Sequence, residues 1–431
     1  MAGDPAILPT AIAKQIIDPH SYASWDPLLD TFDTLRETQP VAKIVPEQEG
    51  LFDPFWLITR YDDAMRVSKD NATFLNNPRP VVFSFKQAIE FSRAATGSNM
   101  LVDSLVVFDA PVHPKYRKLT QDWFMPRNLA RIEGEIRALA HRTVDRMLEQ
   151  GPTCDFVKEV AGPYPLRVVM QILGVPPEDE PRMQMLTQQL FGGQDADLSG
   201  TGMADMTPEQ VVQLVAGAVK TFEDYFADLA QQRRDNPTDD VASVIANALV
   251  DGKPLPPRDM AGYYIIVATA GHDTTSASTA GAMQALAKDP DQWARLKADR
   301  SLLSGVVEEA IRWTSPVQHF MRTAAEDVEL GGQQIKAGDW LMINYVAANH
   351  DPAQFPDPRR FDASRSPNRH LAFGAGAHQC LGLHLARLEM RILFEVLLDR
   401  VNTVKLAGDP RRATSTFVGG LKSLPLSITP A

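Results

Sequence analysis

The chain has 431 residues, 44% of them hydrophobic, with 43 Lys and Arg against 54 Asp and Glu for a formal net charge of −11. That length and apolar content allow a large core, while the acidic balance excludes the broad basic surface that nucleic-acid binding needs. The two cysteines, Cys154 and Cys380, lie far apart and make no disulfide framework, so a reducing compartment is expected.

The opening residues Met1-Ala2-Gly3-Asp4-Pro5 carry neither the basic nor the apolar stretch of an export signal. The strongest apolar run, residues 263–270, is far too short to cross a bilayer. A cytoplasmic protein with no membrane anchor is expected. Residues 41–45 and 55–59 are short, apolar and read as strands. Between 71 and 100 the pattern loses its period and gains Phe83, Phe85 and Phe91. Helical periodicity returns near His113 and runs through Gln150. Residues 192–206, rich in glycine and aspartate, read as a mobile loop. Thr207-Pro208-Glu209-Gln210 then supplies a helix start: an N-cap, a proline at the first helical position and a glutamine able to bond back. A long helix is predicted over 257–288, opened by Pro257 and stopped by Asp289-Pro290. It is apolar around most of its circumference and therefore buried. After Pro316 the chain reads as strands and loops as far as Cys380, then as a helix, and from Val401 as short strands and turns. No repeat or low-complexity linker divides it, so one large domain spanning 1–431, mainly α with a minor β part, is expected.

Cys380 stands in the run Phe373-Gly374-Ala375-Gly376-Ala377-His378-Gln379-Cys380-Leu381-Gly382, where a helical pattern begins. The glycines let a large flat group approach the backbone, and a helix N-terminus favours a thiolate. Such a thiolate is an axial ligand for haem iron. A lone cysteine is more often a small buried hydrophobe. Gly374 and Gly376 could also open a dinucleotide loop, but Gln379 stands where its third glycine would fall. A second unusual run, Ala270-Gly271-His272-Asp273-Thr274-Thr275, lies inside the predicted buried helix. Glycine there costs about 1 kcal/mol relative to alanine, and threonine hydroxyls can take carbonyls one turn back and open the ladder. The opening leaves room for water or a small ligand; the plainer alternative is a packing notch. Glu309 and Arg312, three apart, would ordinarily be a surface pair. His272, His319, His350, His370 and His384 show no metal-ligand spacing, and no nucleophilic-serine elbow is present.

Phe373, Gly374, Gly376, His378, Cys380 and Gly382 stand at the spacings of the haem-binding signature of the cytochrome P-450 family, which the chain resembles from about Trp25 to Pro425. The resemblance implies a triangular, mainly helical domain with a central oxygen-activating helix over 257–288 and a haem-ligand loop and helix over 373–398. It implies haem b, iron protoporphyrin IX, on the Cys380 thiolate. Asp273 and Thr274 would relay protons to bound dioxygen, with Ala270 and Gly271 leaving it space. His113, Arg117, Arg322 and His378 would meet the haem propionates. Glu309 and Arg312 would join Arg360, from Pro358-Arg359-Arg360-Phe361, in a structural network. The family's topology points to a pocket lined by Phe83, Phe85, Phe191, Ile266, Thr269, Ala270, Val317, His319, Phe320 and Phe417, with His319 either a polar handle or simply packed.

The implied activity is monooxygenation, one oxygen atom entering a C–H bond and the other leaving as water, with two electrons from a ferredoxin and its NAD(P)H-dependent reductase. Lys115, Arg117, Lys118 and Arg369 would form a basic docking patch on a monomer. Phe320-Met321-Arg322-Thr323-Ala324, Asn368-Arg369-His370-Leu371 and the tail Phe417-Val418-Gly419-Gly420-Leu421-Lys422 look most like the bacterial branch that hydroxylates monoterpenoids such as terpineol. Alkylaromatics, larger terpenoids and steroids stay open as substrates. A non-catalytic haem binder has no need of Asp273-Thr274, and peroxide-driven relatives usually lack that pair. A helical scaffold without cofactor would be colourless.

Overall fold

The predicted central helix is two helices, Pro257–Ala270 and His272–Lys288, meeting at Gly271. The computed structural model describes residues 5–199 and 206–431. The interruption has the cause anticipated from composition. Thr274 Oγ1 donates to the Ala270 carbonyl and Thr275 Oγ1 to that of Gly271, each at 2.9 Å, taking up carbonyls that the helix ladder would use. The glycine also admits a neighbour, since a Cβ at Gly271 would come within 2.7 Å of Val169 Cγ2. Nearly every residue of His272–Lys288 is buried, as an all-round apolar helix requires.

Helices Pro163–Ile172, Leu303–Thr314 and Leu383–Arg400 pack around this pair, and Glu133–Glu149 packs on the first and last of them. They share one core, to which Val144, Val169, Met283, Val307 and Leu393 all belong. Glu180–Phe191 and Pro208–Asp235 cover the other end, the latter against Pro257–Ala270. The β part is a five-stranded sheet in the order Val41–Ile44, Phe55–Ile58, Trp340–Asn344, His319–Ala324, Phe74–Leu75. The two middle strands pair antiparallel, Ile343 opposite Phe320. Smaller sheets include Val401–Leu406 against Pro425–Pro430. The architecture is mainly α with a minor β part, as the sequence implied.

The helices expected from His113 to Gln150 are Val112–Gln121, Pro126–Leu129 and Glu133–Glu149, the second opened by Pro126 at its first position. Two local expectations change. The aperiodic stretch after Asn71 contains a helix, Lys86–Thr96, closed by Gly97 at φ 74°. Only Ser92 of that helix is buried, and Ala88, Ile89 and Ser92 line a central cavity. The glycine-rich segment after Phe191 is fastened as far as it is described: Asp195 is 2% exposed and accepts from Thr414 N at 2.8 Å and Lys422 Nζ at 2.9 Å. Residues 200–205 lie outside the described residues. The Thr207 start forms as expected, with Thr207 Oγ1 accepting from Gln210 N and Gln210 Oε1 from Thr207 N.

Candidate functional site

The fold brings the two unusual sequence runs to opposite walls of one cavity of about 560 Å³. Phe373, Gly374, His378, Cys380 and Gly382 form one wall, and Ala270, Gly271, Asp273 and Thr274 face it. His113, Arg117 and Arg322 close the side, and Ile266, Thr269, Val317, Phe320 and Phe417 also line it.

The Cys380 loop is held by backbone geometry. Gly374 and Gly376 have φ of 65° and 75°, the left-handed region glycine favours. A Cβ on Gly376 would lie 2.7 Å from the Ser68 carbonyl oxygen. Cys380 N donates to the Phe373 carbonyl at 2.8 Å. The following helix is Leu383–Arg400, with Gly382 at its N-cap. Removal from bulk water raises the Cys380 thiol above its ordinary value; the Gly382 N–H and the charges of Arg117 and Arg387 pull the other way without overcoming it. A metal cation held there would deprotonate the thiol outright.

The side wall is a cluster of cationic and basic groups. Arg322 Nη1 donates to the Met321 carbonyl at 2.8 Å, while its buried Nε has no partner among the described residues. Burial lowers the pKa of Arg322 and of Arg117. His378 is held far below its ordinary range by burial and then by His113, Arg322 and Arg117. His113 is lowered by burial and then by Arg117. Asp109 is near enough to oppose this, but its oxygens accept from Asn76 N and Asn77 N at 2.9 Å each. Four basic groups thus line the cavity together, and among the described residues no carboxylate is ion-paired with any of them. That wall fits a group carrying carboxylates beside a metal that Cys380 can hold.

On the opposite wall, Asp273 accepts from Gln188 Nε2 at 3.1 Å and lies 3.0 Å from His272 Nδ1. Neither partner was singled out as one; Gln188 is 85 residues away and nothing in the local sequence marks it. Glu389 was missed as well. It is fully buried on the cavity wall, its carboxyl is raised well above its ordinary value by burial, and a hydrogen bond from Thr275 opposes this.

Behind the Cys380 loop, Glu309 and Arg312 are both fully buried and joined through Nε–Oε2 at 2.8 Å and Nη2–Oε1 at 2.7 Å. The third member is Arg365, whose Nε donates to Glu309 Oε2 at 3.1 Å. Arg360 was expected there, but its side chain is exposed and only its carbonyl approaches Arg312.

Three expected lining residues are elsewhere. Phe83 stacks on Trp340 and packs on Phe52 and Phe55, and Phe85 is 43% exposed. His319 is buried with both ring nitrogens engaged, Nε2 accepting from Phe83 N at 3.1 Å and Nδ1 donating to the Thr416 carbonyl at 2.8 Å, so it offers no handle to a ligand. The side chain of Phe191 lies outside the described residues. Of the supposed docking cations, Lys115 pairs with Asp251 and Arg117 lines the cavity. Lys118 and Arg369 remain exposed.

A cytochrome P450 family profile matches residues 177–428. The chain is 42% identical over 427 residues to Cytochrome P450-terp of a Pseudomonas species, covering 99% of each chain. It is 34% identical to the steroid C26-monooxygenase of Mycolicibacterium smegmatis, covering 92% of this chain and 90% of that one. Among solved structures it resembles CYP108D1 from Novosphingobium aromaticivorans at a TM-score of 0.92 and 63% identity, over 99% of this chain and 100% of that one.

Proposed function

The chain belongs to the cytochrome P450 family of monooxygenases, and we propose that it inserts one atom of dioxygen into a C–H bond of a compact apolar substrate, a monoterpenoid in the first instance. The family implies a haem-thiolate cofactor; in this reading it is haem b, with Cys380 as its axial ligand. The observation that carries the reading is the unanswered basic wall of His113, Arg117, Arg322 and His378 beside Cys380. Two propionates would answer those charges.

Bound there, haem supplies the dioxygen-binding and electron-accepting chemistry. The protein supplies the rest. Cys380 is the electron-donating ligand, positioned by the Phe373 carbonyl and the Gly382 N–H. Asp273 takes protons from solvent and passes them to the Thr274 hydroxyl oxygen, which gives up its own hydrogen, at rest on the Ala270 carbonyl, to water in the cavity. Ile266, Val317, Phe320 and Phe417 hold an apolar substrate and keep water away from it. Gly271 opens the helix beside them.

The higher identity to Cytochrome P450-terp, 42% against 34% for the steroid C26-monooxygenase, favours a terpenoid over a steroid. Electrons would come from a ferredoxin and its NAD(P)H-dependent reductase, with exposed Lys118 and Arg369 available to an acidic partner. The enzyme would act as a monomer in the cytoplasm, where the unpaired Cys154 and Cys380 stay reduced.

The test is spectroscopic. The ferrous protein with carbon monoxide should show the strongly red-shifted Soret band of a thiolate ligand, and Cys380→Ser should abolish it. A red-shifted band that survives Cys380→Ser would assign the ligand elsewhere. Titrating the ferric protein with monoterpenols, alkylbenzenes and steroids then ranks the substrate classes by displacement of the iron-bound water.

A further inference from the structure

A second cleft of about 430 Å³, with Lys158, Asp197, Arg411 and Lys422 among its apolar lining, borders the central helix pair. The helix Glu180–Phe191, the start of His272–Lys288 and the C-terminal segment from Arg411 to Lys422 form its walls. Asp273 borders both this cleft and the central cavity. The cleft's other charged groups on these walls are mostly spent on one another: Lys422 Nζ is 2.9 Å from both Asp195 and Asp197, and Arg411 Nη1 is 3.1 Å from Asp197. Lys158 also lines the cleft. Asp273 has no lysine or arginine ion-paired to it among the described residues.

Its holders are a glutamine and a histidine. Gln188 Nε2 reaches Oδ1 at 3.1 Å and Oδ2 at 3.4 Å. His272 Nδ1 reaches Oδ1 at 3.0 Å, with the imidazole side chain 3% exposed. His272 itself lines the cleft, and its buried Nε2 has no protein partner among the described residues. Gly192 makes room for the glutamine: a Cβ there would collide with Gln188 Oε1. A guanidinium at this place would favour the ionised carboxylate and oppose proton uptake. An amide and an imidazole fix its direction without that cost.

We propose that this cleft is the water and proton inlet of the central cavity, and that Gln188 and His272 are positioning residues holding the Asp273 carboxylate between the two spaces. Hydronium or buffer acid reaching the cleft gives a proton to Asp273, and Asp273 gives that proton to the Thr274 hydroxyl oxygen as the Thr274 hydrogen passes to a water in the central cavity. Both side chains end as they began, and one proton has crossed from the cleft to the cavity. Gln188 also ties the inlet to the helix that covers the cavity.

The proposal rests on the reading of Asp273 and Thr274 as a proton relay, and the experiment separates the two. In the haem-loaded protein with its electron donors, Gln188→Leu and Gly192→Ala should each lower product formed per electron pair about fivefold, the weight of one hydrogen bond. Both should raise the solvent deuterium isotope effect on turnover, which a merely structural loss would not move. By 15N NMR of histidine-labelled protein, the signal lost in His272→Phe should belong to an imidazole with its hydrogen on Nδ1. Native coupling and isotope effect in both Gln188→Leu and Gly192→Ala, with Asp273→Asn impaired, would overturn the inlet and leave the relay standing. An unimpaired Asp273→Asn would overturn the relay and the inlet with it. A hydrogen on Nε2 of His272 would overturn the hold on Asp273.

Discussion

The imidazoles of His113 and His378 lie 4.0 Å apart, centroid to centroid, on a wall that also carries Arg117 and Arg322. Burial holds both histidines below their ordinary value of 6.5, helped by Arg117 at His113 and by His113, Arg322 and Arg117 at His378. The unfolded chain therefore binds more protons than the folded one below about pH 6.5, so stability rises with pH through that window and falls on acidification. Each histidine contributes at most about 1.4 kcal/mol per pH unit. We predict that the melting temperature of the haem-free chain drops from pH 7 to pH 5, and that His378→Phe makes the drop shallower. His319, lowered to about 4, and His350, lowered to about 3, both chiefly by burial, keep part of the slope. Loading haem should also flatten it, because carboxylates beside the two histidines favour their charged forms. An unchanged slope on loading would place the propionates elsewhere.

The Glu309 network gives a graded set. Arg312→Met strands a fully buried carboxylate and should cost about 3–5 kcal/mol. Arg365→Met removes one hydrogen-bonded charge from the same carboxylate, which keeps Arg312 and Asn368, and should cost about 1–3 kcal/mol. Arg360→Ala changes only an exposed side chain and should stay within about 0.5 kcal/mol. Denaturant unfolding of the three variants checks the order; a large loss at Arg360 would return it to the network.

The same network shows what the sequence can and cannot disclose. The Cys380 loop was legible because its requirements are local: left-handed glycines, a thiol and a helix within ten residues. The Gly271–Thr275 opening was legible for the same reason, although the full break was not. Arg365 and Gln188 were not legible, since each earns its place through a partner 56 or 85 residues away. The helix Lys86–Thr96 was passed over because its inner face, Ala88, Ile89 and Ser92, borders a cavity and not a packed core. Phe83 and Phe85 read as pocket residues because they are aromatic in an aperiodic stretch. Phe83 turned out to serve an aromatic cluster with Phe52, Phe55 and Trp340.

His319 joins two segments that frame the cavity, through Phe83 N and the Thr416 carbonyl. His319→Phe leaves both groups without a partner and should cost about 2 kcal/mol or more. His319→Gln, which has one donor and one acceptor, should recover much of it. Because both nitrogens are occupied, the variant should not change the ratio of dissociation constants for a terpene alcohol and its deoxygenated analogue. A ratio that collapses in His319→Phe would restore the histidine as a substrate handle.

Gly271 sets two effects against each other. Its φ of −85° suits any residue, so alanine would gain about 1 kcal/mol in helix propensity. Against that, the new methyl would sit 2.7 Å from Val169 Cγ2, on a branched side chain that cannot swing aside. Overpacking of this kind costs about 1–3 kcal/mol and should win. We predict that Gly271→Ala is destabilised, and that Val169→Ala in the same chain returns part of the loss, because it removes the obstructing methyl. A double-mutant cycle by thermal unfolding measures that coupling directly. Additive losses would mean that the helix Pro163–Ile172 does not press on the break, and that the glycine is there for the cavity alone.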